Sequence, residues 1–172
     1  MTPFIVGNLK TLALISAVVV TGCESVTGPQ TLPEGVEIRT TSGVFPVETV
    51  DGRRRVRVTA TVTNESSRTV LYSYCSEAIA RNVAGVWTSV WKPICPALIV
   101  APESIAPGET REFNLQIDEH PELPNDNFPF DSPQAQYRLE LGLFLRIETP
   151  YSEKLLPIDG SESVSNTFAV GE

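Results

Sequence analysis

The sequence predicts an all-β protein with two antiparallel sheets packed face to face. Three observations predict it. Stretches of two-residue alternation recur along the chain, each with an apolar and a polar row. Turn signals built from Gly, Pro, Asn and Asp separate them. No stretch beyond residue 35 has a convincing helical period.

The elements follow in order. Val36 to Thr40 alternates and is β-branched, a first strand. Gly43 to Val47 predicts a short edge strand, because Pro46 cannot donate to a ladder. Asp51-Gly52 turns the chain. From Arg53 to Thr63, Val56, Val58, Ala60 and Val62 point one way, while Arg55, Arg57, Thr59, Thr61 and Thr63 point the other. That is the pattern of a half-buried antiparallel strand. Asn64-Glu65-Ser66-Ser67 ends it. Arg68 to Cys75 is the next strand. Ile79 to Val83 and Val86 to Trp91, divided by Ala84-Gly85, form a hairpin. Ala97 to Ala101 is apolar and predicts a strand, and Pro102 to Gly108 a loop. Thr110 to Ile117 alternates with Phe113, Leu115 and Ile117 inward. Residues 118–135 form a long loop rich in Pro, Asp and Asn. Tyr137 to Ile147 is the longest alternating run, with Tyr137, Leu139, Leu141, Leu143, Leu145 and Ile147 on one face. A loop through Gly160 leads to a last strand, Val164 to Val170.

The start of the chain has a different character. Lys10 precedes the apolar run Thr11 to Val20, and Thr21-Gly22-Cys23 closes it. A cation, a short apolar core and small residues form the pattern of a secretory signal. The run is about half the roughly 20 residues that a membrane-spanning helix needs. Val20-Thr21-Gly22-Cys23 resembles the lipobox of bacterial lipoproteins. That resemblance implies a signal peptide over residues 1–22, lipidation of Cys23 and a membrane partner reached through the lipid. Glu24 stands where an aspartate is the usual inner-membrane retention signal. The resemblance therefore implies a cell-envelope, extracytoplasmic location, at the outer membrane if the source is Gram-negative. Residues 23–35, rich in Ser, Thr, Pro and Gly, read as a flexible tether to a domain over residues 36–172.

Removing residues 1–22 takes away one cation and no acid, which moves the net charge from −8 to −9. Such a chain is repelled by nucleic acid, and no nucleic-acid partner is expected. Besides Cys23, the cysteines are Cys75 and Cys95. An even pair in an oxidising compartment predicts a disulfide, with two free buried thiols as the alternative.

Three pieces resemble an Ig-like sandwich of bacterial extracytoplasmic proteins: Val58 to Asn64, Gly85-Val86-Trp87, and Ala106-Pro107-Gly108-Glu109-Thr110 leading to Phe113. Their order is similar to the domain named after the bacterial intracellular proteinase inhibitors. The resemblance spans about residues 53–117. It implies an Ig-like antiparallel β-sandwich of about 7–9 strands. Cys75 and Cys95, only 20 positions apart, are too close for the inter-sheet bridge of antibody domains.

The candidate chemistry is sparse. His120 is the one histidine, with no G-x-S-x-G motif to join it, so no catalytic residue is assigned and no enzyme is expected. Asp118, Glu119, Glu122, Asp126 and Asp131, with Asn125 and Asn127, offer oxygen ligands. Their spacing matches no EF-hand, so no metal or cofactor is assigned. Arg53, Arg55 and Arg57 share the outer face of one strand. They suit an acidic or glycan partner, or else cross-strand pairing with Glu. Trp87 and Trp91, four apart, share one face of a regular strand. They suit a carbohydrate or protein partner if exposed, and pack on the disulfide if buried. The expected function is a lipid-anchored extracytoplasmic binding or structural module without catalytic activity and with a protein or glycan partner. The alternative is a protease-inhibitor-like protein, which a rigid protruding loop between residues 118 and 135 would favour.

Overall fold

The computed structural model describes residues 30–95, 101–119, 128–130, 132, 134–149 and 152–171. The predicted signal segment, Cys23 and the first part of the predicted tether lie outside them. No helix occurs among the described residues. The strands are β1 (Val36–Thr40), β2 (Val44–Val50), β3 (Arg53–Asn64), β4 (Val70–Tyr72), β5 (Ala78–Val83) and β6 (Val86–Trp91) in the first half. β7 (Glu103–Ile105), β8 (Thr110–Asp118), β9 (Tyr137–Glu140), β10 (Leu143–Thr149), β11 (Ser152–Pro157) and β12 (Ala169–Gly171) follow.

The first sheet is built on β3, whose 12 residues serve three partners. β8 runs antiparallel along one edge, from Thr63↔Thr110 to Arg55↔Asp118. The other edge is shared: β2 pairs with Arg53 to Val56, and β1 with Ala60 to Asn64. β12 joins β2 in parallel over Val44 to Pro46. The second sheet has the order β11-β10-β4-β7 and the third β6-β5-β9, and all their pairs are antiparallel. One core draws on all three sheets. Val56, Val58, Ala60 and Val62 of β3 are fully buried, as the alternation predicts, and Phe113, Leu115 and Ile117 of β8 lie beside them. Tyr72 meets Phe113 edge-on at 4.6 Å, so the second sheet closes over the first. Stacked rings of Phe128, Tyr137 and Phe168 fill the end under the third sheet. The fold is thus the all-β sandwich that the alternation predicts.

Among the described residues the strand number is twelve, not 7–9, for local reasons. Tyr137–Ile147 does not run as one strand: β9 belongs to the third sheet and β10 to the second. The break falls at Leu141-Gly142, where the Leu143 N–H donates to the Leu141 carbonyl at 3.1 Å. The inward row Tyr137, Leu139, Leu141, Leu143 and Leu145 continues through it, all five buried. β7 lies inside the stretch predicted as a loop, too short for its period to be read. β11 was also expected to be loop, because Leu155 and Leu156 adjoin and hide the alternation. β4 covers only three residues of the strand predicted over Arg68 to Cys75, leaving Tyr74 exposed. β12 is shorter than predicted, because Val164 and Phe168 make single bridges to Glu140 and Tyr137 instead. β2 is not an edge strand: β12 pairs with its first half and β3 with its second, and Pro46 closes the first half. Of the strand predicted over Ala97 to Ala101, residues 97–100 lie outside the described residues. Within the stretch predicted as a tether, Gln30 bridges Ile158 and the Leu32 N–H donates to Glu162.

Two small features hold the strands in place. Asn64, fully buried at the end of β3, donates to the carbonyls of Arg68 and Ile105, each at 2.8 Å, and accepts from Ser66. Its backbone bonds reciprocally with Gly108 and Glu109, in the turn between β7 and β8. Gly142 faces Ser76 so closely that a Cβ on it would lie 2.3 Å from the Ser76 Cβ. Asn64→Ala takes the side-chain donor from the buried Ile105 carbonyl, while the Arg68 carbonyl keeps the Ser66 hydroxyl, and should lower stability by about 1–3 kcal/mol in a urea melt. Gly142→Ala should cost about 1–3 kcal/mol by overpacking, and Ser76→Gly added to it should recover most of the loss.

Candidate functional site

The structure separates the residues singled out from the sequence. Arg53, Arg55 and Arg57 lie on β3 in the first sheet, on the row opposite the buried valines. Arg55 sits between Glu48 of β2 and Asp118 of β8, and its guanidinium pairs with Asp118. Arg54 binds Glu119 through both Nε (3.1 Å) and Nη2 (2.6 Å), and its guanidinium lies 5.2 Å from the centre of the Phe130 ring. These bonds hold the Glu119 carboxyl below its ordinary range. Cross-strand pairing, rather than an open basic patch, is therefore the role of Arg55. Asp118 and Glu119 are engaged by arginines, so they do not stand free as calcium ligands. Residues 120–127 and 131, with His120, lie outside the described residues. Among the described residues, no three His, Cys, Asp or Glu side chains gather closely enough to hold a metal ion.

The tryptophans do not share a face. β5 and β6 pair as Asn82↔Trp87 and Ala80↔Ser89, and then shift so that Ile79 faces Trp91. This bulge at Val90 adds one residue to β6 and reverses the alternation beyond it. Trp91 turns inward with Ile79 and packs on the core. Trp87 stays on the outer face under the Arg138 guanidinium, 4.6 Å from its ring centre. Arg138 also pairs with Glu140 at 2.7 Å. The hairpin turn is as predicted: Ala84 and Gly85 both have positive φ, the mirror-image turn that suits strand twist.

Cys75 and Cys95 form the predicted disulfide, with Cα atoms 5.9 Å apart. It ties the turn after β4 to the chain leaving β6. A loop of this size stabilises by about 3 kcal/mol on the chain-entropy account. Tyr74 and Ile94, each next to a bridged cysteine, are 57% and 75% exposed. A depression of about 400 Å³ links this region to the outer face of the third sheet, with Cys75, Lys92, Arg138 and Glu140 in its lining.

A second concavity was not legible in the sequence. The end of β5 and the segment 132–136 border an open cleft of about 650 Å³, lined by Arg81, Asn82, Ser132, Gln134 and Gln136 among others. The Asn82 N–H donates to the Gln136 carbonyl at 2.9 Å and joins the two walls. Arg81 pairs with Tyr137 across the ladder, so it lies on the row of the buried Ile79. Its Nε is buried without a hydrogen-bond partner.

No known protein-family profile and no curated protein matches the chain. Among solved structures, it is similar to a Northeast Structural Genomics Consortium target (10% identity, 81% of this chain and 90% of that one, TM-score 0.42). It is also similar to a protein from Archaeoglobus fulgidus (12% identity, 79% and 95%, TM-score 0.28).

Glu77 adjoins the disulfide turn. Tyr72 donates its hydroxyl to Glu77 Oε1, while Oε2 is buried without a partner. Burial pushes the carboxyl pKa up, against backbone hydrogen bonds that lower it. The folded chain thus holds this proton more tightly than the unfolded chain. The cost of the charge is fully present above the raised pKa and fades as pH falls toward the ordinary carboxylate value. Glu77→Gln keeps the acceptor for Tyr72. It should raise Tm at about pH 7.5 and lose that advantage near about pH 4, read by thermal melts across pH.

Proposed function

We propose that the chain is a lipid-anchored extracytoplasmic module that binds a partner through the outer face of its third sheet and carries out no chemistry of its own. The observation that carries this reading is the gathering around the half-exposed Cys75–Cys95 bridge. Trp87 capped by Arg138, the depression reaching Cys75, and exposed Tyr74 and Ile94 belong to one region of the surface. Exposed aromatic and aliphatic side chains beside a charged rim are the composition of a protein contact. A structural disulfide supports an oxidising compartment. The lipobox-like Val20-Thr21-Gly22-Cys23 supplies the anchor. The inhibitor alternative depends on residues 118–135, of which 120–127, 131 and 133 lie outside the described residues.

Two measurements test the reading together. Expressed in a bacterial envelope, the full chain should partition with membranes and give an acylated mass beginning at Cys23, both lost in Cys23→Ser. A photo-crosslinker at Tyr74 or Ile94 should capture a defined envelope protein, whereas one at Thr61 on the opposite layer should not. A soluble, unacylated chain would overturn the anchor. Equal crosslinking from both layers, or none, would overturn the binding face.

A further inference from the structure

The cleft between the end of β5 and the segment 132–136 is set apart by the state of its one cation. Arg81 stands on the core-facing row of the third sheet, next to Tyr137, and its positive charge acts on the Tyr137 phenol. Its Nε is buried yet bonded to nothing. A buried donor left without a protein acceptor is rare and costly, and a water, an ion or a ligand can supply the acceptor. Arg55, Arg54, Arg111 and Arg138 all hold carboxylates. Among the described residues, no Asp or Glu lines the cleft of Arg81.

The rest of the lining is neutral and polar. Asn82, Ser132, Gln134 and Gln136 bring amides and a hydroxyl, groups that both donate and accept. Asn82 Oδ1 accepts from the Gly85 N–H at 2.8 Å, which directs the amide's accepting end to its own turn and leaves its donors for the cleft. The walls are fixed by successive turns, with Ser132 N–H bonded to Pro129 and Ala135 N–H to Ser132. At about 650 Å³ the space is in the range of small-molecule sites.

We propose that this cleft recognises a sugar acid, with the carboxylate on Arg81 and the ring hydroxyls on the amides of Asn82, Gln134 and Gln136. A single guanidinium matches a single carboxylate through its planar fork. Amide side chains match hydroxyls, which also donate and accept. The net charge of −8 disfavours polyanions. This ligand class deepens the binding-module reading and rests on it, and the cleft adjoins the protein contact, because Asn82 is the cross-strand neighbour of Trp87.

The test is calorimetric titration of the full chain, purified in detergent, with galacturonate, galactose and inorganic phosphate in turn. Galacturonate should bind saturably, and galactose and phosphate at least about tenfold more weakly. Arg81→Gln should lose about tenfold or more of the galacturonate affinity, while Arg39→Gln, at a surface pair far along the chain, should keep it. Gln134→Ala with Gln136→Ala, on the exposed wall, should weaken binding too, and decides the matter if Arg81→Gln does not fold. Equal binding of galactose, binding of phosphate alone, unchanged affinity in the variants, or no binding at all would overturn the proposal. Crosslinking from Tyr74 and Ile94 is read separately, so failure here leaves the protein-binding face standing.

Discussion

The architecture depends on one crowded contact, where Ser76 occupies the place that a side chain on residue 142 would need. The chain from Tyr137 to Thr149 has to serve two sheets. Its inward row is continuous, so the apolar pattern cannot mark where one sheet ends. The change of partner is made instead by a tight backbone bond at Leu141–Leu143 and by the loss of a Cβ at Gly142. Ser76 reinforces it by donating to the Gly142 carbonyl at 3.3 Å. Ser76 in turn belongs to the turn that carries Cys75, a residue with positive φ. The disulfide, the strand break and the third sheet are therefore parts of one packing solution, and the depression beside the bridge is its outer surface.

At the other end of β4, a buried amide does comparable work. Asn64 replaces with side-chain bonds the ladder that β3 can no longer supply. It explains two of the three sequence pieces that resemble an Ig-like domain. The strand ending in asparagine and the Pro-Gly-Glu turn bond to each other through Asn64, Gly108 and Glu109. Gly108, at φ 80, meets the turn's requirement for a left-handed residue. The shared pattern thus has a local physical cause, a strand end and a turn that must satisfy each other's backbone.

Much of the fold was legible because period-two alternation has one meaning when one face is buried. β1, β3, β8 and the β5–β6 hairpin read directly from Val36, Val56, Phe113 and Ala84-Gly85. Partner choice was not legible. The strand from Tyr137 keeps its period while changing sheets, and β7 and β11 exist because β4 and β10 offer them free edges. The bulge at Val90 was equally hidden: the spacing of Trp87 and Trp91 assumes an unbroken ladder, and one extra residue sends them to opposite faces.

The charged residues show how strand pairing changes what an arginine's spacing suggests. Arg53, Arg55 and Arg57 stand out by their spacing, but a row of like charges on a sheet is stable when neighbouring strands answer it. β2 and β8 place Glu48 and Asp118 on either side of Arg55. Arg81 has no conspicuous neighbours in sequence. It becomes unusual only when β9 brings the buried Tyr137 beside it and segment 132–136 closes over one side. A cation that neighbouring strands neutralise contributes to the sheet, whereas a half-buried cation with an unanswered donor adds a cost the fold would avoid if stability were its only purpose.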